Sequence, residues 1–437
     1  MIGALKWKKD YLLLLGCMAA AYSMTTRADS RFQDLTHHID PLLGLDFTAS
    51  LTSDYGYNDN VLYQKDSNII GSNYYSFQPS LSMEGHRNTK DFGFYYQGDY
   101  RNYTNNQVSA DSYADHQLSG VFNWELGLRH HVEFEGNYGI GHEARGEGVT
   151  RGFFFGDNST NAKLATFDAF NIEHEIGNVN TDFEATYTYG AKGAKGNILV
   201  NLGQKKLDYD ILNSYAYEFQ DYLENEQFTE THASINFRHH YTDKTRFDYT
   251  LMYRSFDYLD PERCNDEYIA LFSIISQLTG KSKIAARVYY LDNKMPDRSI
   301  TSVNWDVMYK WQPVDYSSLV LKTLSVLKDP DNTGDYIQSY QSSIALQHQF
   351  LGHVSSQLAY HYVHEKYQIR KATDQYNYVN FSLNYLFRPK VKLTLDYKYS
   401  LYRTDDSTNP AYINGADYQR DLGYKQNEIG LSVNLVI

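Results

Sequence analysis

Cysteine is almost missing from this chain, with only Cys17 and Cys264 present. The first lies in an N-terminal segment that has the marks of an export signal, so the mature protein is expected to hold no intrachain disulfide. Stability must then come from backbone ladders. Basic residues are outnumbered, 40 Lys and Arg against 53 Asp and Glu, for a net charge of −13. Removing Met1 to Ala28, which carries four basic residues and one acid, leaves about −16, so nucleic acid is excluded as a natural partner. Long apolar runs are lacking after Met24, and the mean hydropathy is −0.57. No later segment can cross a membrane as a helix, whereas a strand needs only every second residue to be apolar. Tryptophan occurs 4 times against 42 Tyr and 22 Phe. That excess of Tyr suits bilayer interfaces or a wet lumen, where an apolar ring with a polar tip satisfies both surroundings.

What is present is alternation. From Lys425 to Ile437, the residues Ile429, Leu431, Val433, Leu435 and Ile437 oppose Glu428, Gly430, Ser432 and Asn434. One segment earlier, Val391, Leu393, Leu395, Tyr397 and Tyr399 oppose Lys390, Lys392, Thr394, Asp396 and Lys398. A period of two places the sets on opposite faces of a strand, and the face with lysines and an aspartate cannot be a dry core. Eighteen such segments, from 44–54 to 425–437, predict an all-β transmembrane antiparallel barrel of about 18 strands, lipid outside and water inside.

The N-terminus agrees. Lys6, Lys8 and Lys9 precede an apolar run from Tyr11 to Met24, too short for an ordinary spanning helix, and Thr26-Arg27-Ala28 offers small residues for cleavage. A rival reading takes Leu14-Leu15-Gly16-Cys17 as a lipobox. The expected organisation is a signal peptide over 1–28 cleaved near Ala28, a periplasmic lead over 29–43, and a barrel over 44–437.

Connections alternate in length. Eight short ones lie at Arg87 to Lys90, Gly127 to Arg129, Ala191 to Gly196, His240 to Asp243, Thr279 to Lys281, Gln312 to Tyr316, Leu351 to His353 and Arg388 to Pro389. Long acidic ones fall at Tyr55 to Gly71, Glu143 to about Val179, Asp210 to Asn225 and Thr404 to Tyr424. Aromatic and cationic residues flank the short turns, as in Phe237-Arg238-His239-His240-Tyr241 and Phe387-Arg388-Pro389, which reads as a headgroup-level girdle. Short turns are then periplasmic, as are both termini. Leu164 to Ile176 reads equally as a strand, a helix in the mouth or a loop.

No catalytic constellation stands out, and the expectation is of a protein that is not an enzyme and needs no cofactor. Gly280-Lys281-Ser282 lacks the first glycine of a phosphate loop, its place being taken by Ile275. His361 and His364, three apart on a strand, point to opposite faces and cannot share a metal. His130-His131 and His239-His240 read as interfacial anchors. The candidate binding residues are instead predicted inward positions: Asp99 and Arg101, Asn123 and Glu125, Asn236 and Arg238, Asp248 and Arg254, Asp306 and Lys310, Asp396 and Lys398. They form either a hydrated salt-bridged wall or a path for a polar solute, with sugars suited because their ring faces stack on aromatics while their hydroxyls need hydrogen bonds.

Several motifs carry a resemblance: Asp54-Tyr55-Gly56-Tyr57-Asn58-Asp59-Asn60-Val61; Asp99-Tyr100-Arg101-Asn102-Tyr103 with Asp111-Ser112-Tyr113-Ala114-Asp115-His116; Arg129-His130; and Tyr187-Thr188-Tyr189-Gly190-Ala191-Lys192-Gly193-Ala194-Lys195-Gly196. The chain resembles the outer-membrane beta-barrel porin family (beta-barrel porin 2 type) that accompanies exopolysaccharide gene clusters. The resemblance implies a Gram-negative outer-membrane channel that takes part in export of a secreted polysaccharide, with a periplasmic polysaccharide-export protein as partner. Its surroundings would be outer-membrane lipid, reached through the barrel assembly machinery. A passive sugar-uptake porin and a plugged barrel that anchors polysaccharide share the same features and stay open. The final residue, Ile437, departs from the aromatic with which many such barrels end.

Overall fold

The computed structural model describes residues 39–42, 45–65, 68–155, 163–328, 335–407 and 410–436. The expected signal peptide, most of the 29–43 lead and Ile437 lie outside these. In chain order the strands are β1 (Ile39–Leu42), β2 (Leu45–Asn58), β3 (Ser72–Arg87), β4 (Lys90–Tyr103), β5 (Tyr113–Glu125), β6 (His130–Glu143) and β7 (Ile176–Tyr189). There follow β8 (Gly196–Tyr209), β9 (Phe228–Thr242), β10 (Thr245–Tyr258), β11 (Asn265–Thr279), β12 (Ser282–Lys294), β13 (Ser299–Val314) and β14 (Ser317–Lys328). The last are β15 (Ile337–Leu351), β16 (Val354–Tyr367), β17 (Thr373–Arg388), β18 (Val391–Thr404), the short hairpin β19 (Ala411–Ile413) and β20 (Ala416–Tyr418), and β21 (Tyr424–Val436).

Strands β2 to β18 pair antiparallel with their sequence neighbours, and β21 pairs with both β18 and β2, which closes an eighteen-strand barrel. Every predicted segment has its strand, and all eight short connections lie at one end, the longest running from Gly190 to Lys195. The ambiguous stretch before β7 is not a wall strand. It carries a single 3-10 turn, Asp168–Phe170, and two isolated bridges.

The faces follow the period of two. Leu383, Leu395 and Leu431 stand side by side across β17, β18 and β21, all pointing out and more than a third exposed, as a lipid face requires. Asp396 and Lys398 point in. At the short-turn end, Phe237 packs on Tyr249, Tyr249 on Phe272 and Phe272 on Phe247 around the outside, and the outward His130 meets the Tyr187 hydroxyl at 2.7 Å, so the aromatic girdle is present. In β11 the pattern weakens because inward Ile269 packs on Leu291, Met295, Leu327 and Tyr336 inside the barrel.

The seam between first and last strands has its own device. Gly430, Gly56 and Tyr74 are in register across β21, β2 and β3, and the Tyr74 ring, 2% exposed, lies against both glycines. A Cβ on Gly56 would sit 2.5 Å from the Tyr74 ring and 2.5 Å from the Ile429 carbonyl oxygen. Gly56→Val is therefore expected to cost about 1–3 kcal/mol by overpacking and to lower the heat-modifiable folded fraction on gels, while Gly280→Val, at a turn with open space, leaves it unchanged.

Candidate functional site

The lumen wall is polar along its length, and its charges meet in specific groups. Arg238 and Arg246 share Asp248, at 3.2 and 3.1 Å. Arg287 holds Asp306 at 2.7 Å, and Arg254 pairs with Glu267. Glu428, inward on β21, receives Arg101 at 3.1 Å and Lys398 at 3.9 Å. Gln78 donates to Asp99 at 3.2 Å, and Asp396 accepts from the Ser382 hydroxyl. Glu125 lies at the short-turn end, paired with Lys192. Lys310 faces Lys283 across the ladder. The ten charged candidates thus line the lumen, but they fall into several clusters around it. Glu428, Arg287, Glu267 and Tyr74 were not singled out from sequence. Glu428 could have been, since it stands on the polar side of the last strand.

The charges are also segregated. Asp99 faces Asp115 and Glu135 faces Glu184 directly across their ladders, whereas on the other side the register pair is Lys283 and Lys310, with Lys322 on the next strand. Like charges directly opposite are destabilising in a sheet, and here His142 stands 2.8 Å from Asp115 and His232 3.7 Å from Glu184. β4 and β5 sit nine ring positions from β13 and β14, so the Asp99 and Asp115 pair and the lysines Lys310 and Lys322 stand on opposite sides of the ring.

At the long-loop end, tyrosines take over the inward face. Tyr376, Tyr402 and Tyr424 are in register on β17, β18 and β21, the first two stacked with centroids 4.5 Å apart. Beyond the seam come Tyr74, Tyr103 and Tyr113, with the Arg101 guanidinium 4.1 Å from the Tyr74 ring. The arc spans neighbouring strands on both sides of the closure.

The long connections do not simply extend into solvent. Those after β6, β8 and β18 fold together around Phe153, Phe167, Phe170, Phe219, Leu223 and Ile413, each at most 2% exposed. Phe219 and Leu223 come from the helix Tyr217–Glu226, which occupies part of the predicted Asp210 to Asn225 connection. Backbone bonds knit the layer, Gln419 N–H to the Lys163 carbonyl at 2.8 Å and Asp421 N–H to the Gly152 carbonyl at 2.8 Å.

Two arginines fasten this layer, Arg145 to the connection between β4 and β5 and Arg151 to the wall. Arg145 makes a bidentate pair with Asp111, at 2.7 and 2.6 Å, and donates to the Ile172 carbonyl at 3.2 Å. Arg151 reaches further. It leaves β6 and docks on β16 and β17, nearly opposite on the ring, so the segment 144–155 crosses the mouth. Its guanidinium donates to the Tyr376 hydroxyl at 2.6 Å and to the Tyr367 hydroxyl at 3.2 Å, lies 5.7 Å from the Tyr402 ring centroid, and stands 4.0 Å from Asp374. Nothing local in the sequence marks Arg151, because its partners lie more than two hundred residues away.

Between these anchors the Tyr424 hydroxyl donates to Glu147 at 2.8 Å. Burial pushes the Glu147 carboxyl up to about 7, with Glu143 adding to the rise and the Tyr424 hydrogen bond and the Arg151 charge opposing it. An opened segment would return Glu147 to water and its ordinary value. The docked state therefore holds its proton more tightly. Docking is strongest below about pH 4.5, weakens as pH climbs towards 7, and stays weaker above, by on the order of 3 kcal/mol in all. Amide hydrogen exchange over 144–155 is expected to be faster at pH 8 than at pH 5.5 after correction for intrinsic rates, and Glu147→Gln to reduce that difference, Glu143 being raised by burial as well.

The wall contains no cluster of three or more His, Cys, Asp or Glu able to hold a metal ion among the described residues. His361 points into the lumen and His364 outward, as their spacing requires.

Among solved structures, the FrpB iron transporter of Neisseria meningitidis (F5-1 variant) is similar with a TM-score of 0.50 and 12% identity, over 93% of this chain and 84% of that one. The outer-membrane protein OpdK of Pseudomonas aeruginosa aligns with a TM-score of 0.49 and 10% identity, over 90% of this chain and 99% of that one. No curated protein matches the chain. The fold is that of an outer-membrane barrel. Residues 272–425, from within β11 to the start of β21, match the family described as "Putative beta-barrel porin 2", which is the family that the motifs between Asp54 and Gly196 resemble.

Proposed function

We propose that the protein is an outer-membrane channel taking part in the export of an exopolysaccharide, with its short turns and both termini in the periplasm and its long connections outside. The observation that carries this reading is the polar lumen ending in an inward arc of tyrosines. A sugar polymer needs hydrogen-bonding partners along its path and flat apolar faces against which its rings stack. Charges already paired on the wall hold such a polymer weakly enough to let it move. A periplasmic polysaccharide-export protein would deliver the chain, and the barrel assembly machinery would insert the barrel after cleavage near Ala28. The family resemblance supports the reading. The segment across the mouth favours a channel that rests closed and opens when loaded.

Deleting the protein is expected to leave polysaccharide synthesis intact and to lower the amount at the cell surface, read by lectin or antibody staining against total polymer. Normal surface polymer in the deletion strain, with loss of growth on an external oligosaccharide, would replace export with uptake.

A further inference from the structure

We propose that the cradle around Arg151 is a receptor for a protonated amino sugar of the cargo, which takes the place of the Arg151 guanidinium and releases the segment across the mouth. The inference rests on the export reading and adds the chemistry of the cargo. The cradle already holds a cation. It offers the hydroxyls of Tyr376 and Tyr367 and the ring of Tyr402. Behind them lies the Asp374 carboxylate, 2% exposed, which accepts from the Tyr402 hydroxyl at 3.0 Å and the Tyr367 hydroxyl at 3.1 Å. The guanidinium comes no nearer to that carboxylate than 4.0 Å, so its two direct hydrogen bonds go to neutral phenols. A compact ammonium carries three donors and fits among phenols and a carboxylate, while the pyranose bearing it can lie on a tyrosine face.

The approach is suited to the same class. On one side of the ring Asp99 stands against Asp115 and Glu135 against Glu184, which gives a cationic polymer a favourable side along which to pass, while Lys283, Lys310 and Lys322 stand on the other. Exchange of one cation for another leaves the charge of the cradle unchanged, so release needs only that the cargo bind the open cradle better than Arg151 binds it closed. A chain that supplies its own plug and yields it to cargo opens only when cargo is present.

The test uses the full-length protein in detergent with three probes: glucosamine hexamer, N-acetylglucosamine hexamer and oligogalacturonate. The glucosamine hexamer is expected to raise hydrogen exchange over 144–155 by about tenfold or more at saturation, and the other two to leave it unchanged. In Arg151→Ala, that segment exchanges fast without ligand and the glucosamine hexamer binds about tenfold tighter, because the cradle is vacant. Tyr376→Phe and Asp374→Asn weaken binding; the first keeps the ring if the second does not fold. An equal response to the acetylated or acidic oligomer, or no tightening in Arg151→Ala, would overturn the receptor. Conductance in planar bilayers separates the two readings: openings in Arg151→Ala without discrimination among oligomers leave the channel standing and remove the receptor. Discrimination without conductance in any variant does the reverse.

Discussion

Arg151→Ala converts a quiet channel in planar bilayers into one with sustained openings. The mouth layer is joined to β7 and β8 through Ile176 and Tyr209 of its own core, while on the far side Arg151 docks it on β16 and β17. Hydrogen bonds from a charged donor contribute about 1.5–3 kcal/mol each, and each 1.4 kcal/mol is a factor of ten, so losing the two to Tyr376 and Tyr367 shifts the closed-to-open ratio by about a hundredfold or more. The rings of Phe170 and Phe219 remain packed, with centroids 5.8 Å apart, so the rest of the layer keeps its core while 144–155 loosens. Barrel registers are untouched, and heat-modifiability on gels stays that of the wild type. Unchanged conductance in a folded variant would mean that 144–155 does not gate the mouth.

The second large effect is on assembly. Leu395→Arg places a guanidinium on the lipid face between Leu383 and Leu431, at a cost of roughly 2–4 kcal/mol if that depth is near the midplane. Lys398, three residues on, points to the lumen with its ammonium 3.9 Å from Glu428, and Arg101 stays on that carboxylate when Lys398→Ala removes it. The folded fraction is expected to drop steeply in the first variant and by less than about 1 kcal/mol equivalent in the second. Equal losses would place the strand one residue out of register.

The barrel was legible because its information is local. In β18 and β21 each residue declares its face by its neighbours two places away, and turns such as Arg388 to Pro389 break the pattern where strands end. The alternation of β11 is weaker for a physical reason: Ile269 points inward yet is apolar, since it packs on Leu291 and Tyr336 instead of meeting water. The mouth was illegible for the opposite reason. Phe153, Phe219 and Ile413 belong to three different connections, and each looks like an isolated apolar residue in a polar loop until the fold brings them together. Arg151 and Tyr376 are 225 positions apart. A candidate site read from inward charges found the wall and missed the latch, because the latch sits on a segment without a repeating face.

The ring closure between β2 and β21 has a kinetic consequence. Each ladder between consecutive strands from β2 to β18 joins partners linked by one connection and can form as the chain is laid down. The one between Ser50 and Val436, ending at Asn58 and Glu428, joins the two ends of the sheet. Until it forms, the growing sheet carries two raw edges, and its long-range contacts make closure the slow step. The Tyr74 ring seated on Gly56 and Gly430 lies at that last joint, so substitutions there should lengthen the lifetime of the open-edged intermediate, when the nascent protein is most exposed to proteolysis.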